Sequence, residues 1–203
     1  MTRLMLVRHA PTAETGRTLY GRLPGHALSE TGFEMAARVA ERLTSVKVAA
    51  VYASPLQRAQ QTAEAIAIKQ RKRVLTHDGL TEVDYGKWSG RSLKSLSKLK
   101  GWRTVITSPS QFRFPDGESL LEAQARMVRT CQDLISRHRH QTILAVSHAD
   151  TIKAALSYYL GQPLDLFHRI AVAPASVAVI DLFEGRGPRV LTMNSNGDPQ
   201  TWR

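Results

Sequence analysis

Three short apolar runs in this chain stop in the same abrupt way, and that recurrence constrains the fold more than any other feature. Leu4-Met5-Leu6-Val7 ends in Arg8-His9, the run Val48 to Ala53 ends in Ser54-Pro55-Leu56-Gln57-Arg58, and Thr142 to Val146 ends in Ser147-His148. Apolar runs without polar alternation suit strands buried on both faces, as in a parallel sheet. Between them the period changes to helical. Ser29 offers an N-cap for a helix carrying Phe33, Ala36, Ala37, Ala40 and Leu43, and Ala59, Thr62, Ala63, Ile66 and Ala67 repeat the spacing after Pro55. Val74-Leu75 reads as a further short strand.

The second half continues the alternation. After the turn Pro115-Asp116-Gly117-Glu118-Ser119, the residues Leu120, Leu121, Met127, Val128, Cys131, Leu134 and Ile135 share one helical stripe, which makes Cys131 a core residue. Thr151 to Leu160 is the helix behind the third run, ended by Gly161 and Pro163. Val177 to Leu182 and Val190 to Met193, joined through Gly185-Arg186-Gly187-Pro188, read as an antiparallel hairpin at one side of the sheet. The expected fold is therefore α/β: a three-layer α/β/α sandwich with a mostly parallel central sheet. Without a repeat or linker, residues 1–203 form one domain, with a cap-like excursion around 77–118 where Leu93, Leu96 and Leu99 suggest a short helix. A long loop from Ala10 to Ala27 invites a functional reading.

Charge narrows the partners. Lys and Arg number 28 against 17 Asp and Glu, a formal net charge of +11, so anions are drawn to the surface. The basic run Lys69 to Arg73 carries no aromatic residue for base stacking and reads as a solvated connection, so nucleic acid is not an expected partner. The charge is read as steering small phosphorylated substrates. Cys131 is the sole cysteine and cannot close an intramolecular disulfide, and no run approaches the ~20 apolar residues of a membrane helix. A cytoplasmic protein without a membrane partner is the expectation; monomer and homodimer stay open.

In open α/β sheets ligands bind beyond the carboxyl ends of the strands. Arg8, His9, Arg58 and His148 converge there beside helix N-termini, which makes a site for a multiply charged tetrahedral anion, and phosphate fits best. His9 is the candidate nucleophile, kept neutral by Arg8 and Arg58. Glu82, in Thr81-Glu82-Val83-Asp84-Tyr85-Gly86-Lys87-Trp88-Ser89-Gly90, is the candidate proton donor, with Asp84 and Glu118 as rivals for that part. His26 can touch substrate from its loop, Glu118 is kept as a secondary contact, and Trp88 is read as a packing anchor. His77, His138 and His140 are expected at the surface.

These residues carry a resemblance. Val7-Arg8-His9-Ala10-Pro11-Thr12, Gly21 through Leu28-Ser29-Glu30-Thr31-Gly32, Ser54 through Thr62-Ala63, Glu82 to Gly90, Gly117-Glu118-Ser119 and Ser147-His148 follow in register. The chain is similar to the histidine phosphatase superfamily, also called the phosphoglycerate mutase-like family. The resemblance implies a phosphohistidine at His9, a phosphate pocket of Arg8, Arg58 and His148 joined by the Ala149 backbone N–H, and Glu82 as the acid. Ala10 stands where many members have Gly, and Thr15 where an Asn often contacts phosphate. The Glu82 region resembles the phosphatase branch, so the expected activity is metal-independent phosphomonoester hydrolysis without a cofactor. The alternatives are a mutase passing phosphate between hydroxyls, a metal site of His9, His148 and Glu82, and an anion- or nucleic-acid-binding protein with a vestigial pocket.

Overall fold

The computed structural model describes residues 1–202. In chain order the elements are β1 (Thr2–Arg8), β2 (Thr18–Leu19), α1 (Glu30–Arg42), β3 (Ala50–Ala53), α2 (Gln57–Gln70), β4 (Val74–Thr76), β5 (Arg91–Ser92), α3 (Leu93–Leu96), α4 (Lys100–Thr107), α5 (Leu120–Arg137), β6 (Thr142–Ser147), α6 (Ala149–Tyr159), β7 (Val177–Leu182) and β8 (Arg189–Ser195). Six strands form the main sheet in the order β4-β3-β6-β1-β7-β8. β4, β3, β6 and β1 run parallel, whereas β7 lies antiparallel to β1 and β8 antiparallel to β7.

β1 is central because its side chains are apolar on both faces. Met5 and Val7 pack with Ala36, Val39, Ala59, Ala63 and Ile66 of α1 and α2. Leu4 and Leu6 pack on the other face with Met127, Cys131 and Leu134 of α5 and Ile152 and Leu156 of α6. All four β1 residues are fully buried, at about 1.5–3 kcal/mol each by area. A single polar substitution in this run would leave an unpaired group between two helix layers.

Local chemistry sets the helix starts. The Ser29 side chain accepts from the Gly32 N–H at the start of α1, as its position in the sequence implies. Ser119 opens α5 with a full capping box: its hydroxyl accepts from the Glu122 N–H and the Glu122 carboxylate accepts from its own N–H. α6 has His148 at its N-cap, and no side chain caps it. Its first N–H groups therefore face the end of β6 with the positive end of the helix dipole.

Residues 77–118 form a third layer of contacts over the carboxyl ends of the strands, packed around Val83, Tyr85, Trp88, Leu96, Val105 and Phe114. Two features differ from the sequence expectation. The loop between Ala10 and Ala27 is interrupted by β2, which pairs antiparallel with β5 of the excursion. The expected single helix on Leu93, Leu96 and Leu99 is two, α3 and α4, because Leu99 adopts extended backbone (φ −77°, ψ 141°) and starts the second helix. Gly86 pins this layer. It has φ +49°, and a Cβ there would lie 2.1 Å from the Pro115 carbonyl oxygen. The turn after Glu82 is thereby locked to the turn before α5.

Candidate active site

The strand ends and the excursion enclose a cavity of about 350 Å³. Arg8, His9, Thr15, Arg58, Glu82 and Ala149 all line it. His9 follows β1 directly, and its N–H donates to the Ser147 carbonyl across the β1–β6 pair at 2.9 Å. The ring is fixed by Nδ1, which lies 2.7 Å from the Ala10 carbonyl oxygen. A carbonyl can only accept, so Nδ1 carries the proton and Nε2 keeps a lone pair. That lone pair accepts from the Arg58 Nε–H at 3.3 Å. Burial, then the charges of Arg58 and Arg8, hold the imidazole well below the usual histidine range, against the pull of the Ala10 carbonyl. His9 is thus a neutral base at neutral pH.

Arg58 enters from the first turn of α2 and is held by the Gly21 carbonyl, which accepts from its Nη2 at 2.8 Å. Gly21 reaches that place through φ +57° and a close approach in which a Cβ would meet the Tyr85 ring at 2.8 Å. Arg8 donates through Nη1 to the Val172 carbonyl at 2.7 Å, while its Nε is buried without a partner. His148 is fully buried with its ring centroid 5.1 Å from that of His9. The Ser54 hydroxyl lies 2.8 Å from its Nε2, and as donor to that nitrogen it leaves Nδ1 to carry the proton, buried and unpartnered. Burial and the charge of Arg58, followed by His9 and Arg8, keep His148 well below its ordinary pKa. Arg8, Arg58 and the Ala149 end of α6 line the cavity with His9, an arrangement suited to a dianion, whereas His148, buried beside His9, is not among the lining residues.

Glu82 lines the same cavity. Its Oε1 accepts from the Val83 N–H at 3.0 Å and lies 3.4 Å from the Thr151 N–H. Burial and the nearby Asp150 push its carboxyl up to about 7, although the Val83 N–H, Arg58 and Arg8 oppose the rise. Asp150 itself accepts from the Tyr85 hydroxyl at 2.8 Å and from Lys153 at 3.3 Å. Burial works to raise Asp150, but Lys153, the Tyr85 hydroxyl and His168 outweigh it and leave it below the ordinary value. A Glu82 that gains and loses its proton near neutral pH, beside an ionised Asp150, is the consequence.

The remaining candidates separate. The Thr15 hydroxyl accepts from the Thr12 N–H at 2.8 Å and lies 3.1 Å from the Thr12 hydroxyl, on the cavity wall. Glu118 is not among the lining residues. Its carboxylate takes Arg126 Nη2 at 2.7 Å, Arg22 Nη2 at 3.0 Å and the Asp84 N–H at 3.0 Å, and both arginines also reach the Glu82 carbonyl. It braces the Glu82 turn from outside. His26 is likewise off the cavity, stacked on Tyr20 at 3.4 Å between ring centroids. Trp88 is buried against Trp102, Phe112 and Phe114, as a packing anchor would be. Ser54 and Tyr85 lie inside motifs visible in the sequence and Asp150 two residues after Ser147-His148, yet the sequence alone assigns none of the three to the site. Among the described residues no group of three or more His, Cys, Asp or Glu side chains is placed to hold a metal ion.

Electrostatics outside the cavity favour anions. Residues 85–115 contain no Asp or Glu, and Arg91, Lys94, Lys98, Lys100 and Arg103 on this excursion are exposed. Among the described residues none of these five makes an ion pair, unlike Lys87 with Asp116 and Arg113 with Glu122.

Fold and site together define an α/β enzyme with an anion pocket built around a neutral histidine. The chain belongs to the histidine phosphatase superfamily, branch 1, whose family model matches residues 4–196, and it is an enzyme of phosphatase type. It is 31% identical over 188 residues to phosphoserine phosphatase 1 of Hydrogenobacter thermophilus, covering 92% of this chain and 89% of that one. It is 32% identical over 186 residues to the probable phosphoglycerate mutase GpmB of Proteus mirabilis, covering 89% and 85%. Among solved structures, YhfR of Bacillus stearothermophilus superposes with a TM-score of 0.86 at 26% identity, over 98% of both chains. No helix among the described residues is long and apolar enough to cross a membrane.

Proposed function

We propose that the chain hydrolyses phosphate monoesters of a small metabolite through a covalent phosphohistidine at His9, without a metal. The observation that carries this reading is the His9 ring, whose Nδ1–H is committed to the Ala10 carbonyl so that Nε2 is left with a lone pair in a cationic pocket. Nε2 attacks phosphorus, the N–P bond forms and the ester P–O bond breaks. Arg8, Arg58, the His148 Nδ1–H and the Ala149 N–H spread the charge of the transferring group, which is where such sites gain most of their rate. The departing alkoxide takes the proton of Glu82. The resulting carboxylate then takes a proton from water, whose oxygen attacks phosphorus, and inorganic phosphate leaves as the N–P bond breaks. Thr15 lends its hydroxyl at the edge of the same pocket, while Glu118 and His26 act through their neighbours.

Arg8 and Arg58 supply the positive charge that a metal would otherwise bring, which supports the metal-independent reading. The buried single Cys131 asks for no oxidising compartment and supports a cytoplasmic setting. The test is phosphate release from a panel of monoesters in EDTA, with acid quench and mass analysis of the protein. The expected result is turnover with a transient phosphorylated histidine, both lost in His9→Ala. Unchanged activity in that variant would sink the assignment, and loss of activity with chelator would restore a metal mechanism. A mutase reading rests on the name of the Proteus relative. It requires a bisphosphorylated primer, so hydrolysis without one refutes it.

A further inference from the structure

The cavity continues past the phosphate end, and its outer wall is apolar. Leu19, Leu93, Trp102, Val105, Ile106 and Phe114 line it. The ionisable residues beside this wall, Asp150, Lys153 and His168, already have partners. Asp150 is bonded by Tyr85 and Lys153, Lys153 also lies 5.7 Å from the Phe167 ring centroid, and His168 Nε2 is 2.9 Å from the Val105 carbonyl oxygen. The hydroxyls of Thr12 and Thr15 are bonded to each other.

We propose that the alcohol half of the substrate is an apolar, ring-bearing group, in contrast to the amino acid or sugar acid that the relatives' names would suggest. This rests on the phosphatase reading above. O-phosphoserine carries an ammonium and a carboxylate within a few bonds of its phosphorus, and a phosphoglycerate carries a carboxylate there. Each would enter a wall whose ionic groups are paired, and burying a charge without a partner is strongly unfavourable. An apolar ring meets the opposite situation. Ile106 is 43% exposed and Trp102 and Leu93 are only half-buried, so apolar surface stands uncovered on the cavity side until a ring covers it.

The platform is rigid enough to select. Trp102 stacks on Trp88 with 6.1 Å between ring centroids and 25° between planes, and Trp88 is fixed by Phe112 and Phe114. Gly101 lets α4 approach closely, since a Cβ there would meet the Phe112 ring at 2.8 Å. A flat ring placed against Trp102 gains stacking beyond its burial, and the pocket size falls within the range of small-molecule sites, roughly 300–1,000 Å³.

The test compares kcat/KM for 2-phenylethyl phosphate, O-phosphoserine and 3-phosphoglycerate, all of which release an alkoxide, so that intrinsic leaving-group reactivity does not decide the order. The expected preference for the phenylethyl ester is at least about 100-fold, the scale on which an apolar pocket rejects even a single added hydroxyl. Trp102→Ala should cut that preference about tenfold through KM, with kcat for the same ester little changed. Ile106→Asp, at an exposed position that does not threaten folding, should do the same and weaken the phenylethyl ester selectively. Equal rates for the three esters, or a faster phosphoserine or phosphoglycerate reaction, overturn the inference while leaving the phosphatase reading intact. No release of phosphate from any ester overturns the phosphatase reading itself.

Discussion

Replacing Asp150 by Asn tests how the proton on Glu82 is kept. Two causes raise the Glu82 carboxyl to about 7, burial first and the Asp150 charge second. The Asn side chain keeps the shape and still accepts from the Tyr85 hydroxyl, but it removes the negative charge. Lys153 loses its partner at the same time, and its unmatched ammonium adds to the charges of Arg8 and Arg58. Both changes favour the carboxylate, so the Glu82 pKa falls, by about one unit on the usual scale of a neighbouring charge. At about pH 7.5 the protonated fraction drops from roughly a quarter to roughly 0.03, an approximately eightfold loss of kcat/KM. The assay is the pH profile of kcat/KM for an alkyl phosphate between about pH 6 and 9, where kcat/KM reports the free enzyme. Its basic limb should move to lower pH. p-Nitrophenyl phosphate serves as the internal control, since nitrophenolate departs without a proton and its profile should lack the shift. A limb that stays in place or moves upward, or an equal loss for both esters, would refute the reasoning.

Glu82→Gln should abolish turnover of alkyl esters yet stabilise the fold at high pH. A carboxyl raised from 4.5 to about 7 binds more protons folded than unfolded across that window, so wild-type stability falls as pH rises through it, by on the order of 3 kcal/mol. Thermal melts of wild type and Glu82→Gln at about pH 5 and 8 check this, and a gap that does not widen with pH counts against it. His9 and His148 act at the other end: both are held well below 6.5 when folded, so acidification below that value favours the unfolded chain, and His9→Gln should flatten the acid limb of the melting curve. Gly86→Ala should destabilise by about 2 kcal/mol or more, because its Cβ would strike the Pro115 backbone at a positive φ. Chemical denaturation reads the loss. Added salt should lower kcat/KM and leave kcat unchanged, as the unpaired cations of the excursion cease to steer the substrate; a salt-independent kcat/KM would remove that role from them.

The sheet was legible because its strands are buried on both faces. β1, β3 and β6 leave unbroken apolar runs with a sharp polar end, and that end is where the chemistry lies. Arg8, His9 and Arg58 are legible in those ends and Glu82 in its own motif, Thr15 and Ala149 follow only from the family resemblance, and the structure brings all six to one cavity. The excursion was not legible. β2 and β5 are two residues each, too short to leave an alternation, and their pairing depends on chain segments far apart in sequence. Trp102, Val105 and Ile106 lie on a helix whose register is set by packing on Trp88 and Phe112, which no local pattern announces. Glu118 illustrates a different limit: a carboxylate next to a conspicuous Gly-Glu-Ser turn reads the same whether it faces substrate or, as here, holds Arg22 and Arg126.

The placement of β1 has a consequence for how the chain folds. It is the first strand made, yet Leu4 pairs with Ile143 on one side and Ile180 on the other. The N–H and C=O groups along its two edges therefore wait for most of the chain before they are satisfied, a high contact order that slows folding and leaves its apolar side chains exposed meanwhile. His9 gains its backbone bond to Ser147, and Arg8 its bond to Ser176, only in that same closing event. The pocket has no partial form, so enzyme activity appears with the last strands and reports completion of the sheet.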